Sequence, residues 1–292
     1  MKFATASATL ALFAVASVAS AQSLTSYVAI GAGNTGFENF GINAFASDFS
    51  GIGTTIVAAG NETFSGIDGN GDSQTMSFAG TALASAEYGI LRTYATGNVT
   101  NSFYNSNNPW YYNSDTGSVN HNGTPDYLIS FGQAQYNDVF TYTNIGPAVT
   151  VNFFYQITGT FSGGAVYHSI LVENDEDFDS IILTPNDGNT INQTFVTKNF
   201  SIGDGILNHS TNILSQFDHR TEFSPDGTNI SGVADFDSTV ILTGMVLKDA
   251  NGTVVNGWSF NSGSGADYGA VPEPATMTIL ALAALIAKRR KK

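Results

Sequence analysis

The sequence predicts an all-β protein, an antiparallel β-sandwich of jelly-roll-like type, carried between an N-terminal signal peptide and a short C-terminal transmembrane helix. Three observations carry this reading. Side chains fall into two alternating sets through Asp138–Thr143, Val149–Ile157 and Thr239–Lys248, the last setting Val240, Leu242, Gly244, Val246 and Lys248 against Ile241, Thr243, Met245 and Leu247, the period-two order of strands. Asn, Gly, Ser and Thr are abundant while Lys and Glu are scarce, a mix that depresses helix and favours strands joined by turns. Turn residues recur about every ten positions, as in sandwiches and jelly rolls. Four segments are expected: a signal peptide at 1–21, a sandwich domain at 22–262, a flexible spacer at 263–270 and a tail at 271–292.

The N-terminus follows the plan of an export signal. Lys2 is followed by the uncharged, alanine- and leucine-rich stretch 8–18, then by the small residues Ala19-Ser20-Ala21. Cleavage is expected between Ala21 and Gln22, with the Sec translocon and signal peptidase as the implied partners.

Within the body, 53–59 carries the β-branched run Thr54, Thr55, Ile56 and Val57 and reads as a strand. Asp68, Asn70 and Asp72 place oxygen-bearing side chains at alternate positions around glycines, as a calcium loop begins. The twelfth position is Ala79, where an EF-hand needs a bidentate Glu, so the loop is either part of a Ca²⁺ site or a polar glycine turn. Ala82, Ala84, Ala86 and Tyr88 alternate with polar neighbours, which makes 82–92 a strand despite its alanines. The stretch 101–127 sets Phe103, Tyr104, Trp110, Tyr111 and Tyr112 among Asn, Ser and Gly. Trp110, Tyr111 and Tyr112 are candidates for stacking on sugar rings; the alternative is a long loop pinned by its own aromatics.

Residues 127–131 form a brief apolar run. Next, Asp138–Thr143 and Val149–Ile157, joined by the turn at 144–147, form an expected antiparallel hairpin with Val151, Phe153, Tyr155 and Ile157 on one face. Glu173, Asp175, Glu176, Asp177 and Asp179 form the densest acidic cluster, either a cation site (Glu173, Asp175 and Asp177 foremost) or a solvated loop. His209 and His219, beside Asp218 and Arg220, read as polar loop surface. A second hairpin is expected from Thr239–Lys248 returning through Thr253–Phe260 about Asn251-Gly252, with Val255 and Trp258 buried.

Charge and composition exclude several function classes. Between Gln22 and Ala270 only Arg92, Lys198, Arg220 and Lys248 are basic, against twenty-three Asp and Glu, for a net charge of −19. Such a body repels phosphate backbones, so nucleic acid is not an expected partner. The chain has no cysteine, which rules out disulfides and thiolate catalysis. It carries no His-Glu-x-x-His pair, no Gly-x-Ser-x-Gly elbow and no Gly-Lys phosphate loop. Paired carboxylates could serve a glycoside hydrolase, but nothing apolar marks one of them as the acid.

The tail has three parts in fixed order. Pro272-Glu273-Pro274 is followed by the apolar stretch 275–287 and by Lys288, Arg289, Arg290, Lys291 and Lys292. Thirteen residues rise only about 20 Å as a helix, short of the ~30 Å hydrocarbon core. The stretch becomes long enough to span only with snorkelling lysine stems. The terminal basic cluster acts as a membrane stop retained on the cytoplasmic side, the topology an N-terminal export signal also requires. The prolines keep the junction extended.

Val271-Pro-Glu-Pro-Ala-Thr276, a short apolar helix and a basic end resemble the PEP-CTERM sorting domain. That resemblance implies an exosortase as partner, a membrane-embedded cysteine protease of bacteria that make exopolysaccharide, with processing at or near Pro272-Glu273-Pro274. It implies an inner-membrane-anchored precursor, held transiently, that becomes a cell-surface or extracellular protein associated with exopolysaccharide and biofilm. The stretch from Ser262 to Tyr268 also resembles the body ends of such proteins, which implies an extracellular β-sandwich. The expected function is therefore that of an exported, non-enzymatic surface or matrix protein. A Ca²⁺-assisted carbohydrate-binding module is the alternative, and a secreted glycoside hydrolase the third reading. No cofactor is expected, Ca²⁺ being the one candidate.

Overall fold

The computed structural model describes residues 22–33, 41–48, 53–68, 70–104, 112–113, 118–119 and 125–268. The signal segment and everything from 269 onward, including the apolar stretch and basic end, lie outside the described residues. So do Trp110 and Tyr111, and of Tyr112 only the backbone is described. Among the described residues no helix is long and apolar enough to cross a membrane.

Sixteen strands are described: β1 (Ser23–Gly33), β2 (Gly41–Asp48), β3 (Thr55–Ile67), β4 (Ser73–Glu87), β5 (Ile90–Ser102), β6 (Tyr112–Asn113), β7 (Ser118–Val119), β8 (Tyr127–Thr143), β9 (Ala148–Gly163), β10 (Val166–Glu173), β11 (Phe178–Leu183), β12 (Thr190–Val196), β13 (Phe200–Ser201), β14 (Ile206–Arg220), β15 (Thr228–Asp249) and β16 (Ser259–Ser262). One seven-stranded sheet runs β11-β10-β14-β8-β1-β2, with β16 added to β8. The other runs β12-β9-β15-β5-β4-β3, with β13 added to β9. All pairings are antiparallel. The two sheets pack face to face over one core, the sandwich arrangement. Strands exchange sheets at several turns, as in a jelly roll, whereas β3, β4 and β5 form a meander inside one sheet.

The expected hairpin of Asp138–Thr143 with Val149–Ile157 is not formed. Both segments are strands, the ends of β8 and β9, but they belong to opposite sheets. The turn, with Asn144 and Gly146 at positive φ, carries the chain across the sandwich. The apolar face picked out from alternation explains why. Val151, Phe153, Tyr155 and Ile157 are buried, and so are Phe140 and Tyr142. These faces meet across the core, with Phe140 and Phe153 6.0 Å apart, instead of lying side by side. Along Asp138–Thr143 the two sides of β8 are taken by β14 and by β16, with β1 beside the earlier part of the strand.

The second hairpin is formed only at its turn. Asp249 and Thr253 bond through their backbones, and Lys248 bridges Val254. The chain then crosses to the other sheet, where β16 pairs with Phe140–Thr143 of β8. Val255 and Trp258 pack partly buried against the core. A bulge between Leu242 and Gly244 resets the alternation of β15 and puts Met245 and Leu247 in the core with Leu242, although strict alternation placed them on the opposite face.

Two further expectations change. The 82–92 stretch is β-structure with Ala82, Ala84 and Ala86 fully buried, but it is two strands with a turn at Tyr88-Gly89. The histidines expected on loop surface are interior: His209 and His219 lie on β14, and all three described histidines, His168 included, are at most 3% exposed. The alternation was readable, since Leu207, His209, Thr211, Ile213, Ser215, Phe217 and His219 share one face of β14. The polar neighbours of the histidines masked it.

Candidate functional site

The metal candidates are spread over separate turns. Asp68 stands where β3 turns into β4, and its Oδ1 accepts from the backbone N–H of Asn70 and of Asp72, both at 2.9 Å, while its Oδ2 accepts from Gln74 at 3.1 Å. These bonds, that from Asp72 foremost, hold its carboxyl below the usual range. Asp68 therefore closes a turn, with Asn70 and Asp72 exposed around it.

The acidic cluster is the turn between β10 and β11. Asn174 accepts from the backbone of Glu176 and Asp177. Asp177 takes a 2.5 Å bond from Lys198 Nζ, Asp179 accepts the Lys198 backbone N–H, and Asp175 accepts from Asn208. The Lys198 bond is the main reason the Asp177 carboxyl is held low, while burial pushes Glu173 up. Among the described residues no three His, Asp or Glu side chains gather where they could hold a metal ion.

A buried polar cluster lies between the sheets. His209 Nε2 sits 2.8 Å from the Tyr155 hydroxyl, 3.0 Å from Thr211 Oγ1 and 3.3 Å from the Tyr136 hydroxyl. Its ring lies 4.2 Å from that of Phe153. His168 stacks on Phe236 at 3.8 Å and bonds Ser215, which bonds Thr93. Burial holds both imidazoles neutral, lowering each to about 3, with Asp138 opposing the shift at His209.

The most concentrated site the sequence reading missed is Asp138, in register with His209 on the neighbouring strand. It is 1% exposed and accepts five hydrogen bonds. Ser262 Oγ, Ser264 Oγ and Tyr268 Oη donate to Oδ2 at 2.5, 2.6 and 2.5 Å, and the backbone N–H of Ser264 and of Val139 donate to Oδ1 at 2.9 and 2.7 Å. Burial alone would raise this carboxyl; the donors outweigh it and the group is held low. Burial and Asp138 drive the Tyr268 hydroxyl far up, so it stays a donor. The Tyr268 ring packs edge-on to Phe140 at 5.1 Å and closes over Gly89 in the turn between β4 and β5. A Cβ at Gly89 would fall 2.7 Å from that ring, and its φ of +78° also favours glycine. Residues 263–268, expected as the start of a flexible spacer, are thus bonded to the body.

The start of β1 lies at the same pole. Ser23 pairs with Asn137, whose side chain donates to Ser23 Oγ at 2.7 Å. Gly263 donates its N–H to Val139, and a Cβ on it would meet the Gln22 side chain at 2.4 Å. Gln22, where the mature chain is expected to begin, and the last described residues therefore flank the same three residues, Asn137-Asp138-Val139. The signal cleavage position itself, Ala21, lies outside the described residues.

Comparison with known proteins adds one match, to the PEP-CTERM protein-sorting motif over residues 270–292. No curated protein matches the chain. Pro272, Glu273, Pro274 and the basic residues 288–292 all lie in the matched stretch, which starts two residues beyond Tyr268.

Proposed function

Starting from a chain that is a PEP-CTERM protein, exported and sorted by an exosortase after anchoring at the membrane, we propose that it is a non-enzymatic surface or matrix component working in the exopolysaccharide layer. The observation that carries this reading is the sorting motif, whose matched stretch begins two residues after Tyr268, the last described residue, while the described body brings Gln22 and Gly263 together at one pole. A body held by that pole projects as one unit from the membrane, first behind its export signal and then on its tail. Two further features support the reading. The described polar clusters are committed to the fold, with Asp138, Asp68, Asp177 and His209 each bonded within the body. The exported part carries a net charge of −19, which keeps it soluble and self-repelling outside the cell.

The test is to express the full chain in cells with and without a functional exosortase and to follow its C-terminus and its fractionation by mass spectrometry. Loss of the residues after Pro274 and movement to the surface or medium, only with exosortase, is the expected result. An intact tail in its presence overturns the sorting step. Failure of the processed body to co-sediment with the producer's exopolysaccharide overturns the matrix role.

A further inference from the structure

We propose that Asp138 is a positioning residue, a latch that clamps residues 262–268 to the body, closes that segment to soluble proteases and leaves three residues between it and the processing motif. The inference rests on the sorting reading above. It concerns what happens between body and motif, which the motif match does not reach.

The argument is one of reach. β16 ends at Ser262, paired to β8. From Ser262 to Pro272 is ten residues, up to about 35 Å of chain. Serine, glycine and alanine fill most of it, the small-residue composition in which exposed segments are nicked. With Ser264 and Tyr268 bonded to Asp138, only Gly269, Ala270 and Val271 separate the last clamped residue from Pro272, a reach of about 14 Å. Held on Asp138, residues 262–268 are closed to enzymes that approach from solution. An enzyme embedded in the membrane meets the motif from the side of its apolar segment, which the latch leaves untouched.

The donors make the clamp specific. Three hydroxyls converge on one carboxylate oxygen, and two of them, Ser264 and Tyr268, belong to the clamped segment beyond β16. The seat is built from both sheets, with Asp138 and Phe140 on one side and Gly89 on the other. Asp138 thereby ties the C-terminal segment to the closure of the sandwich end.

The experiment uses the full chain in detergent, digested briefly with proteinase K, with cuts mapped by mass spectrometry. Wild type, Tyr268→Phe, Asp138→Asn and an insertion of six Gly/Ser residues between Tyr268 and Gly269 are compared. Cleavage of an opened segment tracks its open population when closing is fast. Loss of one charge-assisted bond therefore raises cutting within 262–268 about tenfold in Tyr268→Phe. Asp138→Asn does the same or more. The insertion is cut inside the inserted residues, with 262–268 still protected. Cuts elsewhere in the body, and its thermal midpoint, serve as the folding control. If Asp138→Asn fails to fold, Tyr268→Phe carries the test. Equal cutting of 262–268 in wild type and Tyr268→Phe overturns the latch. Co-expression with an exosortase separates the two ideas: unprocessed wild type means that the sorting reading has failed, whereas processed wild type with unprotected 262–268 means that the latch has.

Discussion

Acid sensitivity follows from the buried histidines, and its size can be worked out. His168 and His209 are enclosed in the core and titrate at about 3, against 6.5 when exposed. Among the described residues His168 Nε2 and His209 Nδ1 have no hydrogen-bond partner, so none of these offers either ring an acceptor for a second proton. As pH falls below about 6.5, the unfolded chain takes up protons that the native protein refuses, and stability falls with pH until about 3. Between pH 7 and 5 each histidine removes about 2 kcal/mol, and the two together about 4. The figure hardly changes if the native value is anywhere below about 4, because at pH 5 it is the unfolded chain that titrates. His219, lowered by burial, adds in the same direction; Glu173 and Asp218, raised by burial, oppose it. The assay is urea unfolding at pH 7, 6 and 5. The midpoint should drop by more than about 1 M over that range. His168→Gln and His209→Gln should each lose about half of the drop, whatever their stability at pH 7. A wild-type midpoint unchanged from pH 7 to 5, or variants as acid-sensitive as wild type, would refute the burial argument.

Further tests address packing and ions. A Cβ at Gly97 would sit 2.1 Å from the buried Phe217 ring, so Gly97→Ala should cost about 3 kcal/mol in chemical denaturation; a loss below about 1 kcal/mol would show that the ring can move aside. Tyr155→Phe removes the hydroxyl shared by His209 and Thr211, and should lower stability by about 1–2 kcal/mol at pH 7. Both Asp68 oxygens are engaged by the turn they close, so millimolar Ca²⁺ should leave the thermal midpoint within about 1 °C. A rise of several degrees would point to a site that binds only the folded state.

Some of the fold was legible along the chain. Alternation identified the core faces of β9 and of β4, because burying one side of a strand leaves a period-two trace. It could not identify partners. A short turn between two alternating segments fits a hairpin and a crossing equally well, and at Thr143–Ala148 the chain crosses because both flanks of the end of β8 are filled by β14 and β16, strands distant in sequence. The bulge in β15 was hidden for the same reason, since a register shift is defined against a neighbour. Asp138 left no trace: an Asp in a strand reads as a solvent-facing residue until the three hydroxyls that satisfy it arrive from more than a hundred residues away.

The sequence by itself determined the sorting address, the strand-rich composition, the acidity of the exported part and the absence of thiol chemistry, since these depend on residue type and local order. Tertiary structure decided which strands share a sheet, that the described histidines are interior, and that residues 263–268 ahead of the sorting motif are hydrogen-bonded at the pole where β1 begins. Those properties come from contacts between residues far apart in the chain, where burial and the need to satisfy buried polar groups outweigh local preference.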